Sequence, residues 1–238
     1  MRIAIIGYGK MGKEIEKVLN ERNHSISAII DINNYHEINK LNSSNTDVVI
    51  EFSGPESAYK NILKCMELKL PVVSGSTGWI DKYEETARLF KVSGGAFFYS
   101  SNYSIGVNIL FKLNKDLARI MRALPTYNVD IEEIHHTTKM DKPSGTAISL
   151  AKGIIEEIGR KTKWELDGTG QEKAIKITAL RQENVPGIHT VTYESDIDTL
   201  QIHHSAKGRR GFAFGAVLAA EFLYGKTGVY GMDDLLKF

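Results

Sequence analysis

The chain has 238 residues, a formal net charge of +1 at pH 7, 42% hydrophobic residues and 25% charged residues. This length can bury a sizeable core in one large or two modest domains, and the balanced charge gives no indication of nucleic-acid or membrane binding. The single cysteine, Cys65, excludes an intramolecular disulfide and is typical of a reducing cytoplasm. The apolar run at 3–6 is too short for a signal or membrane segment.

The first predicted element leads directly into a glycine-rich turn. Residues 2–6 predict a buried strand, and an amphipathic helix with Ile15, Val18 and Leu19 on one face follows the turn. A G-x-G-x-x-G sequence between a strand and a helix is the fingerprint of a dinucleotide-binding fold, with the pyrophosphate at the start of the helix. The cofactor-binding residues predicted here are Gly7, Tyr8, Gly9, Lys10, Met11 and Gly12.

An acidic residue follows the second predicted strand, at 25–30. Asp31 lies about 20 residues past the glycines, where a carboxylate binds the adenosine ribose hydroxyls. No Arg or Lys comes directly after Asp31 to meet a 2′-phosphate, although Lys10 and Lys13 flank the fingerprint. We therefore expect NADH and/or NADPH as the cofactor, with NADH favoured.

Strands and helices continue to alternate through the first half. Further strands are predicted at 47–52, 71–73 and 96–99, and helices at 56–68 and 82–90. This alternation predicts an α/β fold with a Rossmann-type, doubly wound parallel sheet. Small and polar residues follow the last two strands, where such sheets bind their ligands. These candidate cofactor-binding residues are Gly75, Ser76, Thr77, Ser100, Ser101, Asn102 and Tyr103.

The pattern changes in the second half. Its predicted elements are a helix over 105–123 and strands over 127–134, 174–180, 187–195 and 199–204. Few helices separate the last three strands, which indicates an α+β domain with an open, antiparallel or mixed sheet. A second subunit is a natural cover for its open face, so we expect a homo-oligomer.

The domain boundaries follow from this change of pattern. We predict a dinucleotide-binding domain at 1–103, completed by 209–238, and a substrate-binding and oligomerisation domain at 104–208. The basic turn at 209–211 is either a solvated loop or a contact with the cofactor phosphates, for which Arg209 is the candidate.

The densest group of reactive side chains lies between a predicted strand and a predicted helix. His135 and Lys139 can exchange protons, and Ser144 caps a helix whose first amides favour an anion. Together these features suit a carboxylate-bearing substrate that gains a proton. Taken singly, each feature also fits an ordinary capped helix or a solvated loop. A metal site is disfavoured, because adjacent histidines on a strand point to opposite faces.

This stretch resembles the signature of the 4-hydroxy-tetrahydrodipicolinate reductase (dihydrodipicolinate reductase) family. The matching residues are His135-His136-x-x-Lys139-x-Asp141-x-Pro143-Ser144-Gly145-Thr146-Ala147. Blocks at 7–12, 75–78, 101–108 and 187–191 match as well, so the resemblance covers essentially the whole chain. Departures from the family pattern occur at Lys142, Ile188 and Phe214.

The resemblance implies a two-domain tetramer of lysine and diaminopimelate biosynthesis that transfers hydride from NAD(P)H to C4 of a cyclic imine. It implies that His135 donates and accepts a proton and that Lys139 is a second proton donor. The implied ligands of the substrate dicarboxylate are His136, Ser144, Gly145 and Thr146. The alternatives are another NAD(P)-dependent dehydrogenase acting on an amino acid, and a dinucleotide-sensing protein without catalysis.

Overall fold

The computed structural model describes residues 1–168 and 173–238, which divide into two compact units. The first unit comprises Met1–Ser104 and Arg209–Phe238, and the second comprises Ile105–Gly208. Each unit has its own sheet and its own cluster of buried apolar residues. Within the described ranges, no helix is long and apolar enough to cross a membrane.

The elements follow the chain from the first unit to the second and back. The first unit begins with β1 (Arg2–Ile6), α1 (Lys10–Glu21), β2 (Ser25–Ile30), β3 (Val48–Glu51), α2 (Pro55–Glu67), β4 (Val72–Ser74), α3 (Tyr83–Ser93) and β5 (Ala96–Tyr99). The second unit contains α4 (Ile105–Met121), β6 (Asn128–His135), α5 (Gly145–Ile158), β7 (Lys163–Leu166), β8 (Ala174–Arg181), β9 (Ile188–Glu194) and β10 (Thr199–Ser205). The first unit is completed by α6 (Arg210–Leu223), β11 (Gly228–Tyr230) and α7 (Met232–Leu236).

The first sheet is parallel throughout, in the strand order β11-β5-β4-β3-β1-β2. Ile3, Ala4 and Ile5 of β1 are fully buried. Because consecutive residues of a strand point to opposite faces, both faces of the sheet are covered there. The strand order reverses between β1 and β3, and doubly wound sheets bind ligands at the carboxyl ends of strands at such a point. The predicted Rossmann-type sheet is confirmed, with β11 as an additional strand.

The second sheet is mixed, in the order β10-β9-β6-β8-β7. Its central strand β6 pairs in parallel with β8 and antiparallel with β9. Helices α4 and α5 pack against each other and bury Val129 and Ile131 of β6. Residues of β6 alternate along the strand, so Glu133 is buried whereas Asn128 and Glu132 are exposed on the other face. The predicted open mixed sheet is confirmed, and β7 was not predicted.

Candidate active site

The fingerprint glycines form the turn between β1 and α1. Gly7 has φ +94°, and its N–H donates to the carbonyl oxygen of Ile30 at 2.8 Å. Helix α1 begins after Gly9 without a side-chain cap, so its first amides are available to an anion. A Cβ at Gly9 would meet no atom within 4 Å, whereas a Cβ at Gly12 would lie 2.2 Å from the Gly7 carbonyl oxygen. The turn thus has the open cradle and the close helix packing that a dinucleotide site requires.

The other predicted residues of the turn surround this cradle. The Tyr8 hydroxyl donates to the Glu16 carboxylate, and the ring centroid of Tyr8 lies 5.8 Å from the Lys13 Nζ atom. Lys10 is exposed and Met11 is half-buried. The side chain of Lys10 is therefore accessible from solvent for an anionic ligand.

Asp31 follows β2, the strand next to β1 in the sheet. Its carboxylate accepts the Asn33 N–H at 2.7 Å, and its own N–H donates to the Asn34 side-chain oxygen at 2.7 Å. Because the strands are parallel, Asp31 and the turn after Ile6 lie at the same edge of the sheet. This is the position from which a carboxylate can reach the adenosine ribose.

The predicted loop after β4 is held by a buried carboxylate. The Gly75 N–H donates to the Glu51 carbonyl oxygen, and the Ser76 hydroxyl donates to the Glu51 Oε1 atom, each at 3.0 Å. Thr77 is exposed. Glu51 also accepts the Ser74 hydroxyl at 2.7 Å and the Ser53 N–H at 2.9 Å. The Ser76 hydroxyl has a protein partner, which leaves the Thr77 hydroxyl exposed at this edge.

The predicted loop after β5 is fixed through its aromatic residue. Tyr103 is buried, and its hydroxyl donates to the Ser74 carbonyl oxygen at 2.7 Å. The Ser100 hydroxyl donates to the Asn102 carbonyl oxygen at 2.8 Å, and Ser101 is exposed. A contact between Tyr103 and a cofactor would therefore come from its main chain, because the phenol is enclosed in the first unit.

Arg209 lies near the last turn of α1 rather than near the fingerprint, which precedes the first turn of that helix. It is exposed and precedes α6. The neighbouring Arg210 pairs with Glu21 at 2.6 Å, in the last turn of α1, whereas the fingerprint precedes the first turn of that helix. A contact of Arg209 with the cofactor phosphates stays a prediction.

In the second unit, the paired histidines lie where β6 leaves the core. His135 is the last residue of β6 and is 7% exposed, whereas His136 is half-buried, with Nδ1 2.8 Å from the Thr138 hydroxyl. The Lys139 Nζ atom donates to both carboxylate oxygens of Asp141, at 2.7 and 2.9 Å. Partial burial alone would raise the pKa of Asp141, but these hydrogen bonds outweigh it and lower that pKa. A cationic lysine and two imidazoles thus share one short turn.

Helix α5 begins a few residues after this turn, at Gly145. Ser144 caps the helix, because its hydroxyl oxygen accepts the Ala147 N–H at 3.2 Å. Gly145 is exposed, Thr146 is half-buried, and a Cβ at Gly145 would meet no atom within 4 Å. Free N–H groups and the helix dipole favour an anion at this position.

Three residues that were not predicted complete the site. Glu133 is fully buried and accepts the Ser144 N–H at 3.0 and 3.1 Å, while the Arg181 Nη1 atom lies 3.5 Å from its Oε1 atom. The His189 Nε2 atom is 3.6 Å from the Glu133 Oε2 atom and 3.2 Å from the Ser144 hydroxyl. Burial alone would raise the pKa of Glu133, but its contacts with His189 and Ser144 lower it to about 2.

His135 is neutral at pH 7 in this arrangement. Burial lowers the pKa of His135 to about 4, although the Glu133 carboxylate opposes the shift. The ligand atoms of Glu133, His135 and His189 lie within 4.8 Å of one another, a spacing compatible with a metal ion. Because the Arg181 guanidinium already places a positive charge beside the carboxylate, we assign no metal ligand among these described residues.

Comparison with known proteins gives the same result for both units. The family model for the dihydrodipicolinate reductase N-terminus matches residues 1–103, and that for the C-terminus matches residues 106–236. A 4-hydroxy-tetrahydrodipicolinate reductase of Christiangramia forsetii is 50% identical over 100% of this chain and 98% of its own length. One of Rickettsia bellii is 36% identical over 96% of this chain and 91% of its own.

A solved structure has the same fold. It is a dipicolinate-bound dihydrodipicolinate reductase from Paenisporosarcina sp. TG-14, with a TM-score of 0.75, 21% sequence identity and coverage of 97% of both chains. The match of both family models over nearly the whole sequence, together with the full-length relatives, shows that this chain belongs to the dihydrodipicolinate reductase family.

Proposed function

We propose that His135 and Lys139 carry out the proton chemistry of the reaction for which this family is named. That reaction is the NAD(P)H-dependent reduction of 4-hydroxy-tetrahydrodipicolinate in lysine and diaminopimelate biosynthesis, and family membership makes this chain an oxidoreductase of that kind. The observation that supports the residue assignment is the short span from His135 to Thr146. It holds two imidazoles, a lysine and an anion-binding helix start. Neither alternative function is favoured by this family membership.

The first unit offers a site for a nicotinamide dinucleotide. When bound, this cofactor supplies the hydride. The uncapped first turn of α1 binds the pyrophosphate, with Gly9 leaving room for it. Asp31 binds the adenosine ribose and repels a 2′-phosphate, and no lysine or arginine occurs among Ile32, Asn33 and Asn34. NADH is therefore the favoured cofactor.

The second unit offers donors for a dicarboxylate. The Gly145 and Thr146 amides bind one substrate carboxylate at the start of α5, with Ser144 and His136 as the further donors. Hydride addition at C4 of a conjugated imine leaves negative charge that a proton must neutralise. The Lys139 ammonium group donates this proton beside the ring nitrogen, which requires it to leave its contact with Asp141.

His135 accepts and returns a proton in the same proposal. In its protonated form the imidazole can donate a proton to the 4-hydroxyl group, which leaves as water, and the neutral ring can then accept the proton that the adjacent ring carbon loses. Family relatives named as reductases of the same substrate support this assignment. The fixed donors to the substrate carboxylate would orient the ring for these transfers.

The assembly is proposed from the open face of the second sheet. The chain forms a homo-oligomer, a tetramer by family resemblance, in which a partner covers the face that carries Asn128, Glu132 and the 43% exposed Leu180. A cytoplasmic location fits the single buried cysteine, Cys65. Neither nucleic acid nor a membrane is a partner in this proposal, given the net charge of +1. Light scattering on a sizing column would measure the subunit number, and a monomer would contradict the oligomer.

The reaction is tested by absorbance at the nicotinamide band. The substrate is generated in place by the synthase that condenses pyruvate with aspartate semialdehyde, and NADH and NADPH are run in parallel. Oxidation that depends on the synthase product is expected, faster with NADH. Equal or faster oxidation of NADPH would refute the role given to Asp31, and no oxidation with either cofactor would refute the reaction.

The proton donor is tested by comparing two lysines of the same turn. Lys139→Ala should lose most of the turnover while NADH affinity, measured by nicotinamide fluorescence, barely changes. Lys142→Ala is the matched control, because the Lys142 Nζ atom instead pairs with Asp167 at 3.2 Å. Unaltered turnover in Lys139→Ala, or an equal loss in both variants, would refute Lys139 as the donor.

A further inference from the structure

One carboxylate is buried at the point where β6 leaves the core. The inward-facing residues Val129 and Ile131 are apolar and buried, and the next inward-facing residue is Glu133, which is 0% exposed. Burying a carboxylate is costly unless charged or hydrogen-bonding partners compensate for lost hydration. The groups that contact Glu133 therefore indicate the role of its negative charge.

The two oxygens of Glu133 face different groups. The Arg181 Nη1 atom lies 3.5 Å from Oε1, and the Ser144 N–H donates to both oxygens. The imidazoles of His135 and His189 both face Oε2, with His135 Nδ1 at 3.5 Å and His189 Nε2 at 3.6 Å. The two rings are edge-on, with centroids 5.0 Å apart. A single carboxylate thus contacts the end of β6, the start of α5 and β9.

The two ring nitrogens of His135 have different surroundings. The Nδ1 atom is buried and has no hydrogen-bond partner among the described residues, although it faces Glu133. A Cβ at Gly187 would lie 3.1 Å from the Nε2 atom, so glycine at this position keeps that side of the ring uncovered. The ring can therefore face a carboxylate at Nδ1 and a ligand at Nε2.

We propose that Glu133 is a positioning residue that orients His135 and supplies the negative charge that lets His135 take up a proton when the dicarboxylate substrate binds on the Nε2 side of the ring. Binding would place the imidazolium between the Glu133 carboxylate at Nδ1 and the dicarboxylate ligand on the Nε2 side. Glu133 itself does not touch the substrate. This proposal rests on the role given to His135 above, because the imidazolium formed on substrate binding is the acid that donates a proton to the 4-hydroxyl group.

The charges around His135 explain why the proton arrives only with the ligand. Without a ligand, burial together with the neighbouring His189, Lys139 and Arg181 lowers the pKa of His135 to about 4, although Glu133 raises it. A bound dicarboxylate adds negative charge and raises that pKa toward neutrality. Removal of the Glu133 charge should therefore leave His135 neutral even with the ligand bound.

The test measures proton uptake during binding of dipicolinate, an aromatic dicarboxylate found bound to the Paenisporosarcina relative. Calorimetric titrations in two buffers with different ionisation enthalpies give the number of protons taken up. Wild-type protein should take up a proton near pH 7. Glu133→Gln keeps an oxygen for the Ser144 N–H but removes the charge. It should take up fewer protons and bind about tenfold more weakly or worse, since a nearby opposite charge shifts a pKa by about 1–3 units.

The matched control and a kinetic readout separate positioning from a merely structural role. Glu156→Gln makes the same chemical change at an exposed position near the end of α5 and should bind dipicolinate as wild type does. In Glu133→Gln, the high-pH limb of the kcat profile, which reports ionisation in the substrate complex, should move to lower pH, whereas Glu133→Asp, which keeps the charge, should restore part of the shift. Wild-type proton uptake and an unmoved limb in Glu133→Gln would overturn the proposal.

Two further measurements test the proposal even if Glu133→Gln does not fold. In wild-type protein, imidazole 15N resonances should show His135 neutral when free and doubly protonated with dipicolinate bound, and a neutral ring in the complex would overturn the proposal. The variant His135→Gln separates the role of His135 from that of Glu133. Full turnover and affinity in that variant would refute the role of His135, whereas an impaired His135→Gln beside a normal Glu133→Gln would refute only the positioning by Glu133.

Discussion

The third fingerprint glycine offers a prediction with a magnitude that follows from the structure. In Gly12→Ala, the new Cβ would lie 2.2 Å from the carbonyl oxygen of Gly7 and 3.1 Å from its carbonyl carbon. Both are backbone atoms and cannot rotate away, so α1 must move away from the turn by roughly 1 Å to restore a normal contact. Overpacking of this kind costs about 1–3 kcal/mol in the free energy of unfolding, and the shift also displaces the first amides of α1.

The second fingerprint glycine, which precedes α1, is the matched control. In Gly9→Ala, the methyl group would meet no atom within 4 Å, and the residue has φ −81°, which alanine adopts readily. We expect urea unfolding to give a lower free energy for Gly12→Ala and a nearly unchanged one for Gly9→Ala. Both variants should bind NADH more weakly, Gly9→Ala because its methyl group occupies the cradle. A wild-type free energy of unfolding in Gly12→Ala would refute the packing argument, and wild-type NADH affinity in Gly9→Ala would refute the cradle.

Two further predictions concern the second unit. The pKa of Glu133, about 2, and that of His135, about 4, are below their values in an unfolded chain. Stability should therefore fall as pH drops from about 6.5 to 4 through His135 and from about 4.5 to 2 through Glu133. Thermal unfolding should show a shallower decline in His135→Asn between pH 6.5 and 4, and an equal slope would contradict this. Ser144→Ala removes the cap of α5 and should cost about 1 kcal/mol in urea unfolding, whereas the exposed Ser149→Ala should cost little; equal losses would contradict the cap.

The fold could be predicted largely from local patterns. Buried strands such as β1 appear as continuous apolar runs, and helix α5 is bounded by the Ser144 cap and Gly159. The two missed strands are short, with three residues in β11 and four in β7. Their strand conformation depends on parallel pairing with β5 and β8 rather than on an apolar run of their own. Non-local pairing of this kind leaves little trace in a short stretch of sequence.

The candidate site was predictable where its residues are close in sequence. His135, Lys139 and Ser144 lie within ten residues, and their chemistry is enough to indicate a site. Arg181 and His189 reach the site because β8 and β9 flank β6 in the sheet. That strand order places them opposite His135 and Glu133, and local patterns do not specify it. The residues missed are those that tertiary structure alone brings together.

Glu133 is an intermediate case, because the sequence pattern predicts that its side chain points inward but does not predict which residues it contacts. In a strand where Val129 and Ile131 face inward, period-two alternation places Glu133 inward as well. An apolar residue there would continue the core, and buried ion pairs seldom add stability over such a replacement. A sequence selected for stability alone has no reason to keep a carboxylate at this position. Its presence two residues before His135 is explained by the need to set the charge and orientation of that imidazole, so a buried acid that interrupts an apolar alternation beside a reactive histidine is itself a signal of a site.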